Sequence, residues 1–242
     1  QGVPQGGVLS PCLANACLDG LEKALSDCPG VFLVRYADDF VITGDNLKQL
    51  EKSKKIVIDF LVSRGLSINE EKTSISTVEQ GFDFLGFHFR EYPDKGRSKG
   101  LKKGIFLVKP SKKNVTNICH KISAIIKEYP NAEAGTLIKH LNPILRGWAE
   151  HYRTVSSRAS YRKVSEHTFR SLQRWIYRKH SKVKRRDTLS KYFKTVSTKE
   201  TIKHWIFSGF DERKQPITLF QIGNTTFKKH NMIALKQPKN PF

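Results

Sequence analysis

The sequence has no run of about 18 apolar residues, and its first residues carry no basic segment followed by an apolar stretch. Neither a membrane span nor a secretory leader is supported, so the expected setting is cytoplasmic, with no membrane partner. Cysteine is scarce: Cys12, Cys17, Cys28 and Cys119 lack CxxC spacing and nearby paired histidines, which argues against a zinc site and a disulfide framework. They are expected to be small buried hydrophobes. Repeats and low-complexity tracts are absent. Negative charge is the most telling deficit, because 22 Asp+Glu face 43 Lys+Arg and leave +21 over 242 residues. A surplus of that size fits a polyanionic partner.

The surplus is unevenly spread. Residues 1–96 hold 10 basic and 14 acidic residues, while residues 97–242 hold 33 and 8, giving −4 and +25. Chemistry in the first part and nucleic-acid grip in the second is the natural reading, although lysines that merely solvate a surface would also raise the count. The length suffices for one large domain or two small ones without metal or disulfide staples.

Apolar spacing predicts a helix within Val8–Asp27, with Ser10 as N-cap and Pro11 in the first turn. Val31–Val34 and Phe40–Ile42 flank Ala37-Asp38-Asp39 and read as a β-hairpin. Asn46 opens a second helix that Gly65 stops. Short β-prone segments follow near Leu66–Ile68, Thr73–Ser76, Phe82–Phe89 and Ile105–Val108, and the Gly/Lys-rich stretch Tyr92–Lys103 reads as a loop at the region boundary. From Ser111 the pattern is helical. One stripe stops at Pro130, a second from Leu137 to Tyr152 is expected to be interrupted by Pro143, and a third runs from Tyr161 to Ile176. Together they predict a small helical bundle. Beyond Lys194 the pattern weakens to short mixed segments.

Two adjacent carboxylates at a hairpin tip repel each other, and divalent cations relieve that repulsion. Asp38 and Asp39 are therefore candidate Mg²⁺ ligands, with Asp38 favoured as the main one because successive strand residues face opposite ways. A turn that simply prefers aspartate is the alternative. On the third helix Arg158, Arg162, Arg170, Arg174 and Arg178 recur at four-residue steps, broken by Glu166. They are expected along one edge, where arginine suits phosphate, or else on a merely solvated face. Trp148 and Tyr152 lie on an apolar stripe and are expected in the core. Arg146, His151 and Arg153 are the better candidates for nucleic-acid backbone contact, with an internal ion pair to Glu150 or Glu166 as the competing reading.

Tyr36-Ala37-Asp38-Asp39 resembles the YxDD signature of reverse transcriptases, and Gln1-Gly2-Val3-Pro4-Gln5-Gly6-Gly7 resembles the block that precedes it in that family. Gly65-Leu66 with Glu71-Lys72-Thr73 is similar to the motif carrying a lysine near the incoming nucleotide's phosphates. Phe82-Asp83-Phe84-Leu85-Gly86-Phe87 is similar to the primer-grip segment. Leu141-Asn142-Pro143-Ile144-Leu145-Arg146-Gly147-Trp148 with His151-Tyr152-Arg153 resembles the thumb, or maturase X domain, of group II intron proteins.

The resemblance implies catalytic Asp38, Asp39 and Lys72, and nucleotide or template contacts from Pro4, Gln5, Gly6, Tyr36 and Ala37. It also implies a primer grip at Phe84, Leu85 and Gly86. The expected partners are group II intron RNA, an RNA template with a DNA primer, dNTPs and target DNA. In the family a further palm aspartate lies upstream of the first block. The chain alone is accordingly expected not to polymerise, and to need an N-terminal fingers and palm polypeptide. The expected fold is α+β: a partial palm with a small antiparallel sheet at 1–108, a helical thumb at 109–194 and a basic segment at 195–242 with possible DNA-binding character. RNA-directed DNA synthesis is the leading expectation, and non-catalytic binding of intron RNA in splicing is the alternative.

Overall fold

The first helical pattern folds as two pieces rather than one. Helix α1 (Ser10–Leu18) keeps Pro11 in its first turn, with Leu9 rather than Ser10 at the cap. The chain breaks at Gly20, whose φ of 85° no helix can contain, and resumes as α2 (Leu21–Ala24). These coordinates, a computed structural model, describe residues 7–93, 104–181, 185–197 and 202–229, in two compact units, Gln1–Leu85 and Gly86–Phe242.

In the first unit β1 (Phe32–Tyr36) and β2 (Asp39–Thr43) pair antiparallel, from Phe32 opposite Thr43 to Tyr36 opposite Asp39. Helix α3 (Leu47–Val62) starts where the Asn46 side chain accepts the Gln49 N–H at 3.0 Å, and its end reaches Gly65 at φ 70°. Leu33, Phe40 and Ile42 pack on a core of Leu18, Leu21, Leu25, Val57 and Leu61. The alternate residues Phe32, Val34 and Tyr36 stay exposed. The segments near Leu66–Ile68 and Thr73–Ser76 are not strands. The Lys72 and Thr73 N–H groups turn back to the Asn69 carbonyl, and β propensity without a partnering edge makes no ladder. Strand β3 (Phe82–Phe84) closes the unit.

The second unit begins with β4 (Phe87–Tyr92) and β5 (Ile105–Pro110), paired antiparallel. Most of the predicted Tyr92–Lys103 loop lies outside the described residues. Ser111 caps α4 (Lys112–Glu128) by accepting the Asn114 N–H, and the helix ends ahead of Pro130. Helix α5 (Ala134–Tyr152) runs through Pro143 without the expected interruption, because the proline sits on the exposed face, where water can take the place of the hydrogen bond a proline cannot donate. Helix α6 (Arg158–Lys179) completes the bundle. Leu137, Leu141, Leu145, Leu172 and Ile176 are fully buried at its centre, each contributing about 1.5–3 kcal/mol of hydrophobic stabilisation.

The chain continues as α7 (Arg185–Tyr192), β6 (Phe193–Ser197), β7 (Ile202–Phe210) and β8 (Pro216–Thr218), followed by a 3₁₀ turn at Ile222–Asn224. The expected weak tail therefore holds, among its described residues, a three-stranded sheet and a 3₁₀ turn, and Phe207, Leu219 and Ile222 share the bundle's core. Asn142 of α5 fixes it by donating to the Thr218 carbonyl at 3.0 Å and accepting the Phe220 N–H at 2.7 Å. The division between units also falls earlier than 108, since Gly86 and Val108 bond into the helical unit through Ser111 and Ser156. Cys28 alone among the cysteines is buried; Cys119 is half-buried, and Cys12 and Cys17 lie exposed on α1, whose outer face touches no core. Among the described residues no helix is long and apolar enough to cross a membrane.

Candidate active site and nucleic-acid interface

A two-residue turn, Ala37-Asp38, joins β1 to β2, and Ala37 adopts φ 54°, the positive value that tight hairpins favour. Tyr36, Ala37, Asp38 and Asp39 are all exposed at this tip. Asp39 is the first residue of β2 and pairs with Tyr36, whereas Asp38 belongs to the turn itself, so the two carboxylates leave the backbone from different settings. Arg35 braces the tip: its guanidinium donates to Glu22 at 3.1 Å, to Asn15 at 3.0 Å and to the Ala37 carbonyl at 3.3 Å. Glu22 is held below the usual carboxylate range by backbone hydrogen bonding and by Arg35. Sequence reading passed over Arg35, though a charged residue in phase with Leu33 on the helix-facing side was the available signal.

Lys72 lies on a separate turn of the same unit, exposed, with its N–H on the Asn69 carbonyl at 3.1 Å. Pro4, Gln5 and Gly6 fall outside the described residues. Among the described residues no cluster of three or more His, Cys, Asp or Glu occurs. Asp38 and Asp39 thus offer two hard oxygen donors. That is a donor set compatible with Mg²⁺, which takes one or two carboxylates and completes its shell with water and phosphate.

The predicted primer-grip residues pass from Phe84 in β3 through Leu85 and Gly86, at φ 49° and 84°. The Gly86 carbonyl is a junction. It accepts the Ser111 N–H at 2.9 Å, the Tyr152 hydroxyl at 3.1 Å and the Asn114 amide at 3.2 Å, and Asn114 also donates to Tyr152 at 2.9 Å. A β-carbon at Gly86 would stand 2.2 Å from the Asn114 amide nitrogen. Tyr152 is buried, as expected from its stripe, and packs on Phe87 and Trp148. Burial raises its pKa, and the Asn114 bond lowers it in part. Asn114 carried no sequence signal, because its role exists only where α4 meets the turn.

The α6 arginines are all exposed, but they do not share one edge. Steps of four residues advance about 40° on a helix of 3.6 residues per turn, so from Arg158 to Arg178 the row sweeps about 200°. It crosses the whole solvent face, from one border of the buried stripe to the other. Arg170 pairs with Glu166 at 2.6 Å, Arg174 bonds Ser171 at 3.2 Å, and Arg178 bonds the Arg174 carbonyl at 3.4 Å. Arg146 is exposed with its guanidinium 5.1 Å from the Phe220 ring centre. His151 is exposed and lies 5.4 Å from the Phe87 ring. Arg153 makes the internal ion pair with Glu150 that the sequence allowed.

Residues 1–89 match the family described as reverse transcriptase (RNA-dependent DNA polymerase), and residues 115–193 match the group II intron, maturase-specific domain. Maturase-like protein 1 of Euglena gracilis is 29% identical over 170 residues, covering 68% of this chain and 34% of that protein. Its counterpart in Euglena longa is 31% identical over 148 residues, 60% of this chain and 28% of that protein. The retron Ec86 reverse transcriptase of Escherichia coli is 34% identical over 77 residues, 31% of this chain and 24% of that protein. The chain thus spans about a third or less of the length of the curated relatives it matches.

Proposed function

Since the chain belongs to the group II intron reverse transcriptase and maturase family, we propose that it serves RNA-directed DNA synthesis on intron RNA, with its helical unit gripping the nucleic acid. The observation that carries this is the exposed carboxylate pair at the tip of the β1–β2 hairpin, inside the segment that matches the reverse transcriptases. Asp38 and Asp39 would hold Mg²⁺, which when bound would supply charge neutralisation for nucleotidyl transfer. Arg35 keeps the tip in place. Lys72 offsets charge on the dNTP phosphates or gives up a proton there. Pro4, Gln5 and Gly6, together with Tyr36 and Ala37, line the nucleotide and template, while Phe84, Leu85 and Gly86 steady the primer.

A two-stranded ribbon is marginal by itself, and the outer face of this one leaves Phe32, Val34 and Tyr36 uncovered. That supports a further polypeptide surface, of fingers and palm type, packing on this face. The test is primer extension with Mg²⁺ and dNTPs after adding such a polypeptide. Extension that Asp38→Ala abolishes is expected, and persistent absence of extension refutes the enzyme reading.

The second reading is splicing assistance through intron RNA, favoured by the +25 charge of residues 97–242 and the exposed arginine row. Replacing Arg170, Arg174 and Arg178 together by Ala should lower the slope of log K against log salt by about 2, at about 0.7 per single-strand phosphate contact. An unchanged slope removes the row from the interface. Target DNA is a further partner implied by the family and is testable by the same titration.

A further inference from the structure

Strand β7 carries a defect with a direction. Lys194 pairs with Ile206 and Val196 with Lys203, so two residues of β7, His204 and Trp205, stand opposite the single residue Thr195. Such a bulge bends its strand and re-aims a side chain. Trp205 takes φ 59° there, a conformation that costs a non-glycine residue about 1–3 kcal/mol and collects at functional positions. The next two residues, Ile206 and Phe207, are buried, yet Trp205 is 60% exposed.

What the bulge aims at is an open cleft of about 70 Å³, walled by Ser165, Phe169 and Leu172 of α6, Trp205 of β7, and Phe220 and Gln221. Phe169, Phe193 and Trp205 form a row of rings, with centres 5.2 Å and 6.1 Å apart. Phe169 is 38% exposed. Positive charge surrounds the row. Arg146 lies against Phe220, and Arg158 and Arg162 precede Ser165 and Phe169 by seven residues, two turns or about 10 Å along the same face of α6. The nearby carboxylate, Glu166, is already paired with Arg170.

Exposed rings beside arginines match the chemistry of a single nucleic-acid strand, in which a base stacks while its neighbouring phosphates are held. We infer that Trp205 and Phe169 form a stacking site for one unpaired base of an RNA strand, with Arg146, Arg158 and Arg162 taking the adjacent phosphates. The assignment to RNA rests on the proposed maturase function, because α6 lies within the maturase-specific match.

The test titrates the full chain with a single-stranded RNA oligonucleotide, its abasic counterpart, the corresponding duplex and the same sequence as DNA. Tryptophan emission and filter retention are read at several salt concentrations. Trp175 is buried and Trp148 packs between Tyr152 and Tyr161, so a change confined to Trp205 is identified by its loss in Trp205→Phe. Single-stranded RNA should quench emission, while the abasic strand and the duplex should not. Trp205→Ala and Phe169→Ala should each weaken retention about 5- to 150-fold, as expected for losing one stacked base. The salt slope should stay unchanged because no charge is removed, and Trp205→Phe should keep most of the affinity. Parental affinity in both alanine variants, equal quenching by the duplex, or preference for DNA would overturn the site. If RNA is retained with a steep salt slope while the Trp205 and Phe169 arms fail, the stacking site falls and the maturase reading stands. If no RNA is retained, both fall.

Discussion

Gly135 and Gly147 occupy the same helix, and the same substitution should move them in opposite directions. A β-carbon at Gly147 meets nothing within 4 Å, so Gly147→Ala only removes glycine's backbone entropy and should stabilise by about 0.8–1 kcal/mol. A β-carbon at Gly135 would lie 1.7 Å from the Phe210 carbonyl oxygen and 2.5 Å from its carbon, both backbone atoms of β7. Carbon contacts are optimal near 3.5–4.0 Å, so the strand must retreat by roughly 1.5 Å or more. Such a retreat would strain the Asn142 bonds to Thr218 and Phe220. Overpacking of this kind costs about 1–3 kcal/mol and occasionally more. Gly135→Ala should therefore destabilise by about 3 kcal/mol, leaving the two variants about 4 kcal/mol apart. All three tryptophans, Trp148, Trp175 and Trp205, lie in the second unit, so urea unfolding followed by their emission probes that unit's own packing. The Gly147 variant's midpoint should rise and the Gly135 variant's should fall. A Gly135→Ala variant within about 0.5 kcal/mol of the parent would show that the C-terminal sheet is not seated on α5.

Three further outcomes follow from the same coordinates. Tyr152→Phe removes hydrogen bonds to Gly86 and Asn114 and should cost the second unit about 1–2 kcal/mol, read by the same urea titration; a neutral result would dissolve the Gly86 junction. His167 bonds Ser123 at 2.8 Å, and burial lowers its pKa below 6.5, so the folded state binds its proton less readily than the unfolded chain. Its contribution is full above pH 6.5 and lost as pH falls through the depressed value. His167→Gln should flatten stability between pH 7 and 5, and an unaltered pH profile would remove His167 from the acid response. Asn46→Ala should lower the stability of the first unit by about 1 kcal/mol, read by circular dichroism; an unchanged midpoint would remove the Asn46 cap from the account of α3.

Local rules made much of this protein legible before any coordinate was known. Asn46 and Ser111 announce helix starts because a short acceptor side chain can reach an N–H three residues on, and both were found doing so. The hairpin around Asp38 and Asp39 was readable because apolar alternation flanks a polar turn, and the bundle because its stripes repeat every three to four residues. Charge counts alone separated a near-neutral part from a strongly basic one. Tertiary structure decided what depends on residues far apart in the chain. Pro143 continues a helix because its face is wet, and Leu66–Ile68 makes no strand because no edge receives it. Asn114 matters because α4 brings it to Gly86. Residues 193–197 and 202–224 belong to the bundle because Gly135 lets β7 approach α5, and Trp205 faces a cleft because one extra residue in β7 breaks the alternation from which its side would have been read.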